Sequence, residues 1–135
     1  VKALDTNVLV RLFTADDATQ TARAAAELRS GEAWISRTVL LETEWVLRYT
    51  YQFDPAAISR AFSALLGLEG LEVESRAVVL RALAWHREGV DFADALHLAA
   101  VPDEVVEMVT FDRSFARRAR RAGATPRVRE PGAGG

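Results

Sequence analysis

Asp5, Thr6 and Asn7 follow directly on the apolar pair Ala3-Leu4 and precede the apolar run Val8-Leu9-Val10. A carboxylate, a hydroxyl and an amide in that place admit two kinds of chemistry. Acids and hydroxyls cap the first free N–H groups of a helix. An aspartate at the carboxyl end of a parallel strand instead faces the edge where open α/β sheets carry their ligands. Asp112 repeats the situation, following Val109-Thr110-Phe111 and preceding a helix that begins near Arg113. If both strands are central and parallel, the two carboxylates emerge at the same sheet edge.

The stretch GVDFADALHLAA holds a third candidate. As a helix it is apolar almost all round, with Phe92, Leu96, Leu98 and Val101 among alanines, and such a helix is buried. Asp91 is accounted for as its cap. Asp94 lies on the same side as Leu98 and Val101, where an ionised carboxylate is costly unless it is paired or holds a metal. His97 reads as a packed neutral histidine, and the lone His86 carries less still. In ISRTVLLETEWVLRY, Glu42 and Glu44 are two residues apart, about 200° around a helix, so they cannot both face one site. Both flank the apolar stripe, where a solvated flank is the ordinary reading, and periodicity does not choose between them.

These residues need a frame. Short strands are expected at Lys2–Leu4, Ala33–Ile35, Leu71–Val73, Glu107–Phe111 and Arg127–Val128. Helices are expected at Thr6–Thr14, Asp17–Arg29, Ser36–Tyr51, Ala56–Leu66, Ser75–Arg87, Asp91–Val101 and Arg113–Ala122. Asp54-Pro55 is a cap followed by a first-turn proline, and Gly123 closes the last helix. Strands alternating with helices imply βα units and a mainly parallel sheet with helices on both faces. One domain over residues 1–129 and a Pro/Gly-rich frayed tail over 130–135 follow from the absence of repeats or linkers.

Half of the 135 residues are hydrophobic and 27% charged, as in a soluble globular domain. No window reaches the apolar length of a membrane span, and the N-terminus does not read as a signal peptide. Cysteine is absent, which excludes disulfides and thiolate metal sites and fits a cytoplasmic protein. A net charge of −2 excludes bulk electrostatic coating of nucleic acid. Yet Arg113, Arg117, Arg118, Arg120, Arg121, Arg127 and Arg129 fall in a stretch without an acid, either a solvated helix face or a phosphate-facing patch.

The ordered set LDTN, ISRTVLLETEWVL, DFADALHLA and TFDRSFARRA resembles the PIN-domain ribonucleases, and more narrowly the VapC-like toxins of prokaryotic toxin–antitoxin pairs. The likeness runs from Leu4 to about Ala119. It implies a three-layer α/β/α sandwich whose four acids, Asp5, Glu42, Asp94 and Asp112, meet at one sheet edge, with Asn7 and Thr110 in support. It selects Glu42 over Glu44 and Asp94 over Asp91. One position departs: many members carry a further acid where Ser114 stands, which bears on a second metal. Four neighbouring carboxylates call for a cation, and hard oxygen donors favour Mg²⁺ or Mn²⁺. Asp5 and Asp94 are then the expected principal ligands, with Asp112 completing the shell directly or through water and Glu42 orienting the attacking water or holding a second ion. An acidic pocket needs cations nearby to attract RNA, for which Arg113, Arg117 and Arg118 are the candidates. The resemblance also implies a VapB-like antitoxin and a homodimer, with no membrane role. A PIN-fold binding module without activity and a flap-type DNA nuclease are the competing readings.

Overall fold

The computed structural model describes residues 1–132. In chain order the elements are β1 (Lys2–Ala3), α1 (Thr6–Phe13), α2 (Ala18–Arg29), β2 (Ala33–Ile35), α3 (Arg37–Tyr49), α4 (Pro55–Leu66), β3 (Leu71–Val73), α5 (Arg76–Arg87), α6 (Phe92–Ala99), β4 (Glu107–Val109), α7 (Arg113–Ala122) and β5 (Arg127–Arg129). Each expected strand and helix is present, so the α/β alternation holds. The chain divides into two compact units, Val1–Arg76 and the part from Ala77 onward.

In the first unit the strand order is β1-β2-β3, all parallel, with Lys2 opposite Ala33 and Ala33 opposite Leu71. Ala33 and Ile35 of the middle strand are fully buried, as are Leu9, Leu40, Leu47, Ile58 and Phe62. In the second unit β4 pairs in parallel with β5, and Arg129 Nε donates to Glu107 Oε2 across that pair at 2.9 Å. Val79, Leu83, Phe92, Ala95, Leu98 and Ala119 are buried there. The strand pairing does not meet the condition of two central strands. β1 stands at the end of its ladder rather than in the middle, and β4 pairs with β5 alone among the described residues.

The helices start where side-chain acceptors allow. Asp5, Asp17, Ser36, Asp54, Asp91 and Asp112 each cap a helix with their own oxygen. Such a cap contributes about 1 kcal/mol. α7 stops at Gly123, whose φ of 69° and ψ of 25° lie in the left-handed region that glycine enters without strain. Several elements end one or two residues before their expected positions, and for two of them the local reason is plain. β4 stops at Val109 because the Thr110 hydroxyl accepts from the Asp112 N–H at 3.0 Å and turns the chain, leaving Phe111 82% exposed. α6 stops at Ala99, just before the region that Pro102 biases away from helix. The tail expected from 130 opens on a tethered residue, since Glu130 accepts from Arg113 at 3.0 Å; residues 133–135 lie outside the described residues.

Candidate active site

In the first unit, Asp5 follows the parallel strand β1 and caps α1, so the cap reading holds at the carboxyl end of a strand. Its Oδ1 accepts from the Thr6 N–H at 2.8 Å, and the side chain remains exposed. Thr6 is buried, and its hydroxyl donates to Glu42 Oε1 on α3. One residue therefore ties two expected acids together: its amide to Asp5, its hydroxyl to Glu42. Asp5, Thr6, Asn7 and Glu42 line a cavity of about 440 Å³, together with Val10, Arg11, Val46, Thr50 and Tyr51. Asn7 is exposed at the first turn of α1.

Glu44 takes the opposite side of α3, as its spacing from Glu42 requires. It is not the solvated flank expected. It is 2% exposed, and its Oε2 lies 2.9 Å from Arg48 Nε. The i,i+4 spacing lets the guanidinium close over the carboxylate.

In the second unit, Asp91 caps α6 by accepting from the Ala93 and Asp94 N–H groups at 3.0 and 3.3 Å. Asp94 is half-buried. Burial first, then the charges of Asp91 and Asp112, hold its carboxyl above the usual aspartate range; His97 and Arg118 pull the other way. Asp112 caps α7, accepting from the Phe115 N–H at 3.0 Å, and Thr110 fixes the turn before it. His97 is exposed rather than packed, because α6 buries positions 92, 95, 96, 98 and 99 and turns Ala93, His97 and Ala100 outward. His86, by contrast, is buried, with Nδ1 3.1 Å from the Val90 carbonyl oxygen and its ring edge-on to Phe92. Among the α7 arginines, Arg118 is the one whose charge acts on Asp94, while Arg113 pairs with Glu130 and Arg117 is exposed.

The sequence model of the PIN domain matches residues 2–121. The chain belongs to the PIN domain family. PIN domains are generally nucleases and typically bind divalent metals, so the α/β fold and the nuclease character rest on this match. No curated protein is similar enough to count as a match.

The donor chemistry of this PIN domain suits a hard cation. Its candidate side chains offer carboxylate and amide oxygens, and the charge of Asp112 adds to the cost of ionising Asp94, which a divalent ion would offset. The site residues group pairwise, Asp5 with Glu42 in one unit and Asp94 with Asp112 in the other. Among the described residues no set of three or more His, Asp or Glu side chains is gathered as a metal site. Thr6 is the site residue that sequence reasoning treated only as part of a cap. Its signal was the hydroxyl between Asp5 and the apolar run. Arg11 and Tyr51 gave none, since their contact spans 40 residues.

Proposed function

We propose that this PIN domain is a Mg²⁺- or Mn²⁺-dependent endoribonuclease and the toxin of a toxin–antitoxin pair. The observation that carries the reading is the Asp5–Thr6–Glu42 arrangement on the wall of a cavity large enough for a nucleotide. Asp5, Asp94 and Asp112 are the residues that would hold the cation. A bound ion supplies Lewis acidity toward the phosphate and lowers the pKa of a coordinated water.

The chain's own groups do the rest. Thr6 occupies Glu42 Oε1, fixing the carboxylate and leaving Oε2 to accept a proton from the attacking water. As the water oxygen bonds to phosphorus, the P–O3′ bond breaks and the departing O3′ takes a proton from solvent. The products therefore end in 5′-phosphate and 3′-hydroxyl. The Asn7 amide can donate to a non-bridging phosphate oxygen, and Arg118 lies near enough to Asp94 to draw the polyanion toward the acids.

The test is cleavage of single-stranded RNA, and of DNA of the same sequence, in Mg²⁺, Mn²⁺ or excess chelator, with end analysis. RNA is expected to be cut only with metal, to 5′-phosphate ends. Undiminished cleavage in chelator, or 2′,3′-cyclic phosphate ends, would overturn the mechanism. Cleavage of DNA in preference to RNA would move the reading to a flap-type nuclease.

A further inference from the structure

We propose that Arg11 binds a backbone phosphate of a single-stranded polynucleotide, next to the phosphate that is cut; the proposal rests on the nuclease reading above. A second cavity, of about 460 Å³, adjoins the first within the same unit. The two share Asn7 and Arg11 in their walls. These residues are four apart on α1 and so lie on one helical face, as a ridge between the hollows. The first hollow holds Asp5 and Glu42. The second holds Gln20 and Arg23, and its one acid, Glu27, is paired with Lys2 at 2.7 Å. A strand running over the ridge leaves the acids and enters a wall that no longer repels it.

The Arg11 guanidinium is set before any ligand arrives. Its Nε donates to Gln20 Oε1 at 2.6 Å, and its Nη1 donates to Asp16 Oδ1 at 2.6 Å and to the Tyr51 hydroxyl at 3.3 Å. Tyr51 in turn donates to Asp16 Oδ2 at 2.8 Å, and Thr14 donates to Asp16 Oδ1 at 3.2 Å. Three of the five guanidinium N–H groups are thus spent on holding its plane. The two on Nη2 have no protein acceptor among the described residues. A cation fixed in orientation, with two donors unspent and a ridge position between two hollows, is matched by a phosphate oxygen. Such charge-assisted bonds are about twice as strong as neutral ones, and little side-chain entropy remains to be lost.

The experiment measures binding of a fluorescein-labelled single-stranded RNA to the full chain in excess chelator, where nothing is cut, over a series of salt concentrations. Each phosphate neutralised on a single strand contributes about 0.7 to the slope of log affinity against log salt. Arg11→Ala is expected to lower that slope by about 0.7 and to weaken binding about tenfold. Arg11→Lys keeps the charge without the fixed plane, so it should retain the slope and recover only part of the affinity. Tyr51→Phe should weaken binding with the slope unchanged, because it loosens the cation without removing it. Arg60→Ala, at an exposed position outside both cavities, is the control. Circular dichroism confirms folding, and the Lys variant carries the test if the Ala variant does not fold. A slope unchanged in Arg11→Ala, with RNA still bound and still cut in metal, overturns this proposal and leaves the nuclease reading intact. An Arg11-dependent slope in a chain that cuts nothing in any divalent metal does the reverse. An unchanged slope together with Arg11-dependent binding of an acidic protein segment would also overturn it.

Discussion

Asp94 and Asp91 are three residues apart, yet they do different work. Asp91 spends its oxygen on two backbone N–H groups, whereas the Asp94 carboxyl is half-buried beside two other acids. A folded pKa held above the unfolded value, near 3.8, means that the folded chain binds this proton more tightly. In chelator, the contribution of this group to stability should therefore be greatest in acid and fall as the pH rises through the interval between the two values. Asp94→Asn removes the group. At neutral pH the metal-free variant is expected to melt above the wild type, the gap closing in acid, while cleavage disappears; a lower Tm at neutral pH would refute the electrostatic account. Asp91→Ala should instead cost about 1 kcal/mol in denaturant melts and keep cleavage. On α3, Glu42→Gln is expected to lower kcat about 100-fold or more, as loss of a proton acceptor does. Glu44→Ala should leave the chemistry in place and cost about 2 kcal/mol, because Arg48 loses its buried partner. Equal effects of either pair on cleavage would refute these assignments. The two glutamates also mark what residue types disclose. Their opposite faces were legible from helical spacing, and the Glu44–Arg48 pair was open to the same reasoning. The partners of Arg11 were not, because a contact between α1 and the chain after α3 leaves no periodic trace.

Short elements with strong punctuation are why so much of the frame could be read in advance. Aspartate or serine before a helix, proline in its first turn and glycine past its end are local signals, and seven helices among the described residues fall where those signals lie. Pairing between strands is not local. Runs of two or three residues announce that a strand exists without saying which neighbour it takes, so whether the strands before Asp5 and Asp112 are central could be posed from the sequence only as a condition. Two substitutions probe elements rather than chemistry. Gly123→Ala has open space around the added carbon, so its cost is conformational, about 1 kcal/mol, and should appear in Tm without altering cleavage. Thr6→Val keeps the shape of the first turn of α1 and removes the hydroxyl that holds Glu42. It should lower kcat about tenfold with KM little changed, and Thr6→Ser should restore it. A loss confined to KM would place Thr6 in substrate binding instead.

For the whole chain, restraint matters as much as activity. No helix of the described residues is long and apolar enough to cross a membrane. The proposed ribonuclease would need restraint, and the proposed antitoxin would supply it by placing an arginine among the carboxylates. Trp45 and Tyr49, each 55% exposed on α3, lie with ring centroids 5.0 Å apart and tilted by 46°, with Arg48 over the tyrosine ring, a combination typical of residues that anchor protein partners. Light scattering and RNA cleavage, with and without the protein encoded beside this one, test the pairing. A stable monomer whose cleavage the neighbour leaves untouched would remove the toxin–antitoxin reading and leave a plain PIN nuclease. The double duty of Asp5 and Asp112, as helix caps and as expected metal ligands, has a genetic consequence. Asparagine caps as well as aspartate does. On the proposed function, a change from Asp to Asn at either position is therefore expected to silence the chain without unfolding it, and the silenced copy would keep its Arg11 ridge and its aromatic patch. Such an allele should behave as a decoy: coexpressed with the active protein, it competes for RNA and for the inhibitor, and its effect depends on dose. An alanine allele at the same position, short of a cap, is cleared sooner and competes less.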